Sequence, residues 1–383
     1  MLTVTVHDRV ADVDADQWDA LGPDPFSSHA MLTVLERANL PGVRLWYATV
    51  ADWTGKLLAA APVTRIEIDG AKLTHGLFRS LIGLTRKGYD RFLRTSLMAC
   101  GTPLSVGNPP IRAANGVDRP AIARELAGLL DDIGDAERAP WRVFKELGVP
   151  ELSAANLALL ANRRPWLIAA SEPNASLDIE WASYDEYLGS LRSHYRYKIR
   201  AAARKAERAG VTIETVSLGD GYTEEMHSLY DAVHQRAAVQ FEHLTPEFFR
   251  GLGQVYGEAA PLVVFRRNGG IIGWVCMLFA DGVAYDLFHG IDYRVNDETA
   301  LYFNQIAAAI RLAIERKASR LSLGQSTEIA KARFGAQAVP LWIGLKHRSR
   351  TLTVALRGGR RVLFPERAAP DRHVFLDSPP PPR

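Results

Sequence analysis

LVVFRRNGGIIGWVCMLFADGVAYDLFHG, residues 262–290, reads as three strands in a row. Residues 262–266 are apolar up to Arg266 and include two valines, Asn268-Gly269-Gly270 supplies a turn, and 271–279 is apolar again, so the first two strands form a hairpin. Residues 283–290 add a third strand, a strongly periodic helix follows at 298–316, and a short strand comes at 321–323. The first half of the chain has the same order of parts. A helix at 30–38 precedes a hairpin of strands 43–50 and 56–68 across Asp52-Trp53-Thr54-Gly55. A short strand at 104–107, a helix at 122–133 and a strand at 141–144 come next. Parts that recur in order, at an offset of roughly 200 residues, indicate an internal duplication. The expected fold class is α+β: two tandem units, each a twisted mixed sheet flanked by helices. The boundaries expected are 1–168, 169–350, and a terminal strand and Pro/Arg-rich tail at 351–383.

The remaining pieces fit between these. Residues 2–6 alternate like an edge strand, 14–21 and 151–162 read as helices, and 177–181, 211–217 and 341–345 as strands. Residues 223–237 form a helix, and Pro246 opens another at its first position. Residues 70–100 are basic and mixed, with Arg79, Arg86, Lys87, Arg91 and Arg94, and the tail 365–383 is expected to be disordered.

The second unit opens on SYDEYLGSLRSHYRYKIRAAARKAERAG, residues 183–210. Ser183 and Glu186 have the spacing of a capping box, and Gly210 is a natural stop, so the stretch is expected to be helical. Arg192, Arg196, Arg200, Arg204 and Arg208 recur at every fourth position, and Lys198 and Lys205 widen the field. On a helix these guanidinium groups form one slowly winding stripe, suited to a polyanion or simply to solvent.

The whole chain is not unusual in bulk. Of 383 residues, 47% are hydrophobic and 23% charged, and the net charge of +3 is too small for wholesale nucleic-acid binding. Positive charge is local instead, at 192–208 and again at 346–361. Two cysteines, Cys100 and Cys276, without C-x-x-C spacing argue against a disulfide framework and fit a reducing cytoplasm. The first residues carry acids and no apolar core of a signal peptide, and the longest apolar run, 271–280, is too short to span a bilayer. His227, His234 and His243 are loosely spaced with no cysteine nearby, so no metal site is expected. The chain has no G-x-S-x-G, Walker A, H-E-x-x-H or G-x-G-x-x-G.

Three stretches in this order resemble the GNAT superfamily of acyltransferases, in its tandem Fem-like, BioF-like acetyltransferase-domain branch. They are Arg196-Tyr197-Lys198-Ile199-Arg200; Tyr285-Asp286-Leu287-Phe288-His289-Gly290-Ile291-Asp292 with Leu301-Tyr302-Phe303-Asn304; and Leu323-Gly324-Gln325-Ser326-Thr327 leading to Lys331-Ala332-Arg333-Phe334-Gly335-Ala336. Phe26-Ser27-Ser28-His29-Ala30 and Gly55-Lys56-Leu57-Leu58-Ala59 look similar to that branch in the first half. The resemblance covers about residues 20–348 and implies two GNAT-like units, the second catalytic. It implies a sheet that splays open in the middle, an acyl donor in the split and an amine acceptor. No cofactor is expected to be tightly bound; acyl-CoA or aminoacyl-tRNA would be the co-substrate. One departure bears on that choice. Acetyl-CoA members carry a glycine-rich loop after the third strand, whose N–H groups receive the pyrophosphate. Here the position reads Tyr293-Arg294-Val295-Asn296-Asp297-Glu298-Thr299, with acids and no glycine.

Amide formation needs a positioned carbonyl, a donor for the oxyanion and a group to take the amine proton. His289 and Asp292, just past a strand, are candidates for the proton, and Tyr302 for orienting the carbonyl or protonating the leaving group. Arg196, Lys198, Arg200, Gln325 and Lys331 are candidates for binding the donor. Each also has a purely structural role available: interior histidine, helix cap, core aromatic, surface lysine, loop or cap. Asp286 and His289 need not face one way, because side chains alternate along a strand. The leading expectation is an amide-forming transferase, leaning towards an aminoacyl-tRNA donor. An acyl-CoA-dependent N-acetyltransferase and a non-catalytic nucleic-acid-binding module are the alternatives. The acceptor is expected to be an amine-bearing small molecule or a peptidoglycan precursor.

Overall fold

The computed structural model describes residues 2–69, 94–148, 153, 166–237, 243–325, 328–364 and 372–376. The expected helix at 151–162, the cations Arg79, Arg86, Lys87 and Arg91, and Ser326 and Thr327 lie outside these, Ser153 excepted. The chain divides into two units. Residues 1–172, 237–245 and 340–366 make the first, and 173–236, 246–339 and 367–383 the second. The single cut expected near residue 168 is therefore replaced by an interleaved division, and its cause is one strand, described below.

The first unit contains strands β1 (Thr3–His7), β2 (Val43–Ala51), β3 (Leu57–Asp69), β4 (Arg94–Cys100), β5 (Arg112–Ala113), β6 (Trp141–Leu147) and β7 (Leu167–Ala170). Helices α1 (Ala15–Asp19), α2 (His29–Ala38) and α3 (Arg119–Ala136) accompany them. Ser28 caps α2 by accepting from the Met31 amide, and Asp118 caps α3 by accepting from Ala121. Ile122, Leu126 and Leu130, one stripe of α3, pack on Met98 and Phe144 of the sheet. The strand expected at 104–107 is loop, and the third strand is β4, ending at Cys100. Leu97, Met98, Ala99 and Cys100 are all buried, so both faces are covered and the alternation that betrays a strand is missing.

The second unit contains β8 (Asn174–Asp178), β9 (Val211–Ser217), β10 (Pro261–Arg267), β11 (Gly270–Ala280), β12 (Val283–Ile291), β13 (Arg320–Ser322) and β14 (Gln337–Val339). Its helices are α4 (Tyr184–Ser190), α5 (Ser193–Arg208), α6 (Leu218–Gly221), α7 (Glu224–Arg236), α8 (Pro246–Tyr256), α9 (Tyr293–Thr299), α10 (Leu301–Glu315) and α11 (Glu328–Lys331). The β10–β11 hairpin turns on Asn268 and Gly269, at φ 51° and 80°, the two positive angles of a type I′ turn. The long basic helix breaks in two at Leu191. Leu191 is fully buried and bridges to Phe375, the Arg192 amide donates to Val374, and the Leu376 amide to Ser190. Residues 372–376 of the tail are thus ordered, contrary to the expectation of disorder; Val374 is buried and Phe375 stacks on Trp181.

Both sheets have one plan. In the second the order is β14-β8-β13-β12-β11-β10-β9, and in the first β7-β15-β6-β4-β3-β2-β1, where β15 is Trp342–His347. Four antiparallel strands form each half-sheet, and one parallel pair, β4–β6 or β12–β13, joins it to the rest. The duplication is therefore present strand for strand. The strand expected to close the second unit, 341–345, is β15 and lies between β6 and β7 of the first sheet. The matching place in the second sheet is held by β8, which follows β7 in the chain. Helices α12 (Arg350–Gly358) and α13 (Arg360–Leu363) follow β15 in the first unit. No helix of the described residues is long and apolar enough to cross a membrane.

Each parallel pair is short and then opens. In the first sheet pairing ends at Cys100↔Phe144. The chain itself fills the gap there: Lys145 Nζ donates to the carbonyls of Thr102, Pro103 and Leu104, and Asn108 N to Glu146 Oε2. The space left is about 10 Å³, room for one water. In the second sheet pairing stops at Tyr285↔Ser322, while β12 runs on against β11 to Ile291.

Candidate active site

The open side of β12 carries the candidate chemistry. Between Cys276↔Phe288 and Met277↔Asp286 the register slips by one residue, so Leu287 is a β-bulge. A bulge resets the alternation of side chains and frees backbone groups from the ladder. Asp286 and His289, three apart, would point to opposite faces of a regular strand. With the bulge between them, His289 Nε2 lies 2.9 Å from Asp286 Oδ1. The Asp286 side chain is fully buried and neither oxygen has a well-formed hydrogen bond, so His289 is the polar group it meets.

Helix α10 fixes the other ring nitrogen. Gln305 Nε2 donates to the carbonyls of Trp274, at 3.1 Å, and Gly290, at 2.9 Å. That orients the amide, so Gln305 Oε1, 3.1 Å away, must accept from His289 Nδ1. Nε2, the nitrogen without a hydrogen in that tautomer of the neutral ring, then faces Asp286. Gly290 permits this packing, because a Cβ there would collide with the Trp274 indole. The Tyr302 ring meets His289 edge-on with centroids 5.6 Å apart. The structure thus brings together His289 and Tyr302 of the expected residues and adds Asp286 and Gln305. Gln305 interrupts the apolar stripe Leu301, Ala309, Ala313; a polar residue in such a stripe needs partners, and that was its signal.

Across the opening lies the end of β13. Asn174 Nδ2 donates to Ser322 Oγ, and Gly324, at φ 71°, turns the chain beside the Asp286 carbonyl. Lys331 is buried, and its Nζ donates to the carbonyls of Gly324, at 3.1 Å, and Gln325, at 2.8 Å. Lys331 and Gln325 are therefore brought together, with the ammonium holding the loop that leaves β13.

Asp292 is placed differently. It caps α9 by accepting from the Arg294 amide, and both its oxygens accept from the Arg294 guanidinium, at 2.8 and 2.9 Å. The hydrogen bonds from Arg294 hold its carboxyl below the usual carboxylate range. The stretch after it, which would be the pyrophosphate loop, is helix α9. Asn296 Oδ1 accepts from the Tyr302 amide at the start of α10, and Glu298 pairs with Arg267 at 2.6 and 2.8 Å. The N-terminus of α10 is thus met by the chain's own acceptor.

The arginines of α5 lie on another face. Arg196 Nη1 donates to the carbonyls of Gly189 and Leu191 at the end of α4, and Arg192 Nε to that of Phe375. Lys198 is exposed, while Arg200 and Arg204 line a groove of about 670 Å³ between α5, α10 and strands β9 and β10. Its α10 wall is Asn304, Ala307, Ala308 and Arg311. At about 100° per residue these lie on the side of α10 away from Tyr302, so Arg200 does not join His289.

Residues 174–355 match the profile of the FemAB-like family, described as peptidoglycan biosynthesis/recognition. The crystal structure of FemX superposes over 90% of this chain and 98% of its own, with a TM-score of 0.54 and 12% identity. A tandem GNAT protein from the clavulanic acid biosynthesis pathway does so over 91% and 99%, at 0.52 and 14%. The chain has a tandem GNAT-like fold, and its residues 174–355 are similar to the FemAB-like family. A Mycobacterium tuberculosis protein provisionally named 8-amino-7-oxononanoate synthase 2 is 23% identical over 325 residues. The match takes in 82% of this chain, which spans about two fifths, 41%, of that longer relative.

Proposed function

We propose that the second unit forms an amide by moving an acyl or aminoacyl group onto an amine at the β12–β13 opening. The observation that carries this reading is the bulge that turns Asp286 and His289 towards each other beside that opening. The amine nitrogen attacks the donor carbonyl carbon, and the oxyanion is met by a backbone N–H freed at Leu287. The amine proton passes to the Asp286–His289 pair, whose ring Gln305 holds in one tautomer. The bond from carbon to the leaving sulfur or oxygen breaks, and Tyr302 supplies that atom with a proton. Lys331 and Gln325 shape the far lip. Asp292 serves as a helix cap rather than as base.

For the donor we favour an aminoacyl ester of tRNA. Where acetyl-CoA members receive the pyrophosphate, Asn296 caps α10 and Asp297 and Glu298 bring negative charge. Lys198, Arg200 and Arg204 remain available for phosphates, whereas Arg196 is engaged by backbone carbonyls. The Fem-like likeness favours a peptidoglycan precursor as the amine. Acyl-CoA is the second reading, favoured by the likeness to a tandem GNAT protein whose description mentions AcCoA.

Salt-titrated binding of tRNA and acetyl-CoA, each with single-turnover transfer of its labelled group, separates the readings. Saturable tRNA binding with a steep salt slope and aminoacyl transfer is the expected result. Acetyl transfer without tRNA affinity would establish the second reading. Binding of tRNA with no transfer from either donor would leave a nucleic-acid-binding module.

A further inference from the structure

The second concentration of positive charge in the sequence lies outside the unit discussed so far. Residues 346–363 contain Lys346, Arg348, Arg350, Arg357, Arg360 and Arg361 and no Asp or Glu. Two of the six point into the first unit: Lys346 is buried against Asp131, and Arg360 reaches the Ile168 carbonyl. Arg348, Arg350, Arg357 and Arg361 are exposed, and none is paired with an acid among the described residues.

Apolar side chains share their surface. Helix α12 is anchored by Thr353, which is buried and exchanges hydrogen bonds with His347, and by the half-buried Leu356. At about 100° per residue the opposite face presents Val354, Thr351 and Ala355, with Arg350 and Arg357 along one edge and Leu352 along the other. Val354 is 52% exposed, Leu352 38%, and Leu363 on α13 is 54%. One exposed leucine needs no explanation, but three large apolar side chains interleaved with unpaired arginines are how a helix lies in a membrane interface.

We propose that α12 and α13 form a reversible docking surface for an anionic phospholipid leaflet. The arginines meet lipid phosphates, and Val354 and Leu363 enter the boundary between headgroups and acyl chains. A nucleic acid fits less well. It would use the arginines but gain nothing from the aliphatic side chains, and residues 348–363 carry no aromatic ring for stacking on bases. So short an apolar face gives weak, salt-sensitive binding. The proposal is independent of the donor and acceptor used by the second unit.

The test is co-sedimentation of the full chain with vesicles of phosphatidylcholine, alone or mixed equally with phosphatidylglycerol. Binding is expected on the mixed vesicles, and not on phosphatidylcholine alone. Arg350→Gln with Arg357→Gln should lower partitioning by more than about tenfold, each cation near an anionic leaflet being worth about fivefold. Val354→Ser with Leu363→Ser, which leaves the charge intact, should lower it several-fold. Should that pair alter the melting temperature, Val354→Ser alone, on the face away from Thr353, serves in its place. No sedimentation on mixed vesicles overturns the proposal. So does serine-variant binding equal to that of the parent, or tRNA binding that needs Arg350 and Arg357 but not Val354.

Discussion

His289, Gln305 and Asp292 each make a different prediction. His289→Ala should lower turnover by about 10²–10⁴-fold, the usual share of a general base, with the fold intact by circular dichroism. Gln305→Leu removes two bonds to carbonyls and one to the ring, and should cost about 1–3 kcal/mol in denaturant unfolding as well as lowering turnover. Asp292→Asn should leave turnover within a few-fold, because its carboxylate is already engaged by Arg294. Its effect is on stability and pH. The folded carboxyl lies below the ordinary value of 3.8. Its contribution is therefore complete above about pH 4 and lost as pH falls through the folded value, a loss the asparagine variant should not show in acid melts. His289, Tyr302 and the capping role of Asp292 were legible as residue types at a strand–helix junction. The meeting of Asp286 with His289 was not, because a single-residue bulge leaves no mark in the hydrophobic pattern.

Among the elements, the basic helix was legible by period, but its break was not. Of the five arginines at every fourth position, Arg192 and Arg196 hold the backbone at the break between α4 and α5, and Arg200 and Arg204 line the groove beside α10. That break depends on Leu191 pairing with a residue far along the chain, which local periodicity cannot report. Arg196→Ala should thus lower thermal stability, by about 1 kcal/mol, more than it lowers donor binding. Arg200→Ala should do the reverse. The pairing of β11 with β12, which sets Trp274 opposite Gly290, makes another testable demand. Gly290→Ala places a methyl against the Trp274 indole, and should cost about 1–3 kcal/mol and shift the near-ultraviolet dichroism of that ring.

For the molecule as a whole, the duplication was readable because each copy spells out the same succession of hairpin, strand, helix and strand. The destination of β15 was not, since a six-residue strand suits either sheet and adjacency in the chain favours the nearer. Gly344 sits centrally in β15, opposite Phe144 on one side and Ile168 on the other. Gly344→Pro deletes a ladder donor in an interior strand and should cost about 3 kcal/mol or more, seen as a lowered calorimetric midpoint. The first copy of the parallel opening is closed by Lys145 and residues 101–110, which agrees with chemistry in the second copy alone.

The exchange of β8 and β15 also sets a timetable. A ribosome delivers residues 1–172 long before 342–347, and until then β6 and β7 have no strand between them. The nascent first half must wait with raw edges showing while nearly all of its sibling is made, and residues 342–347 are what seal it.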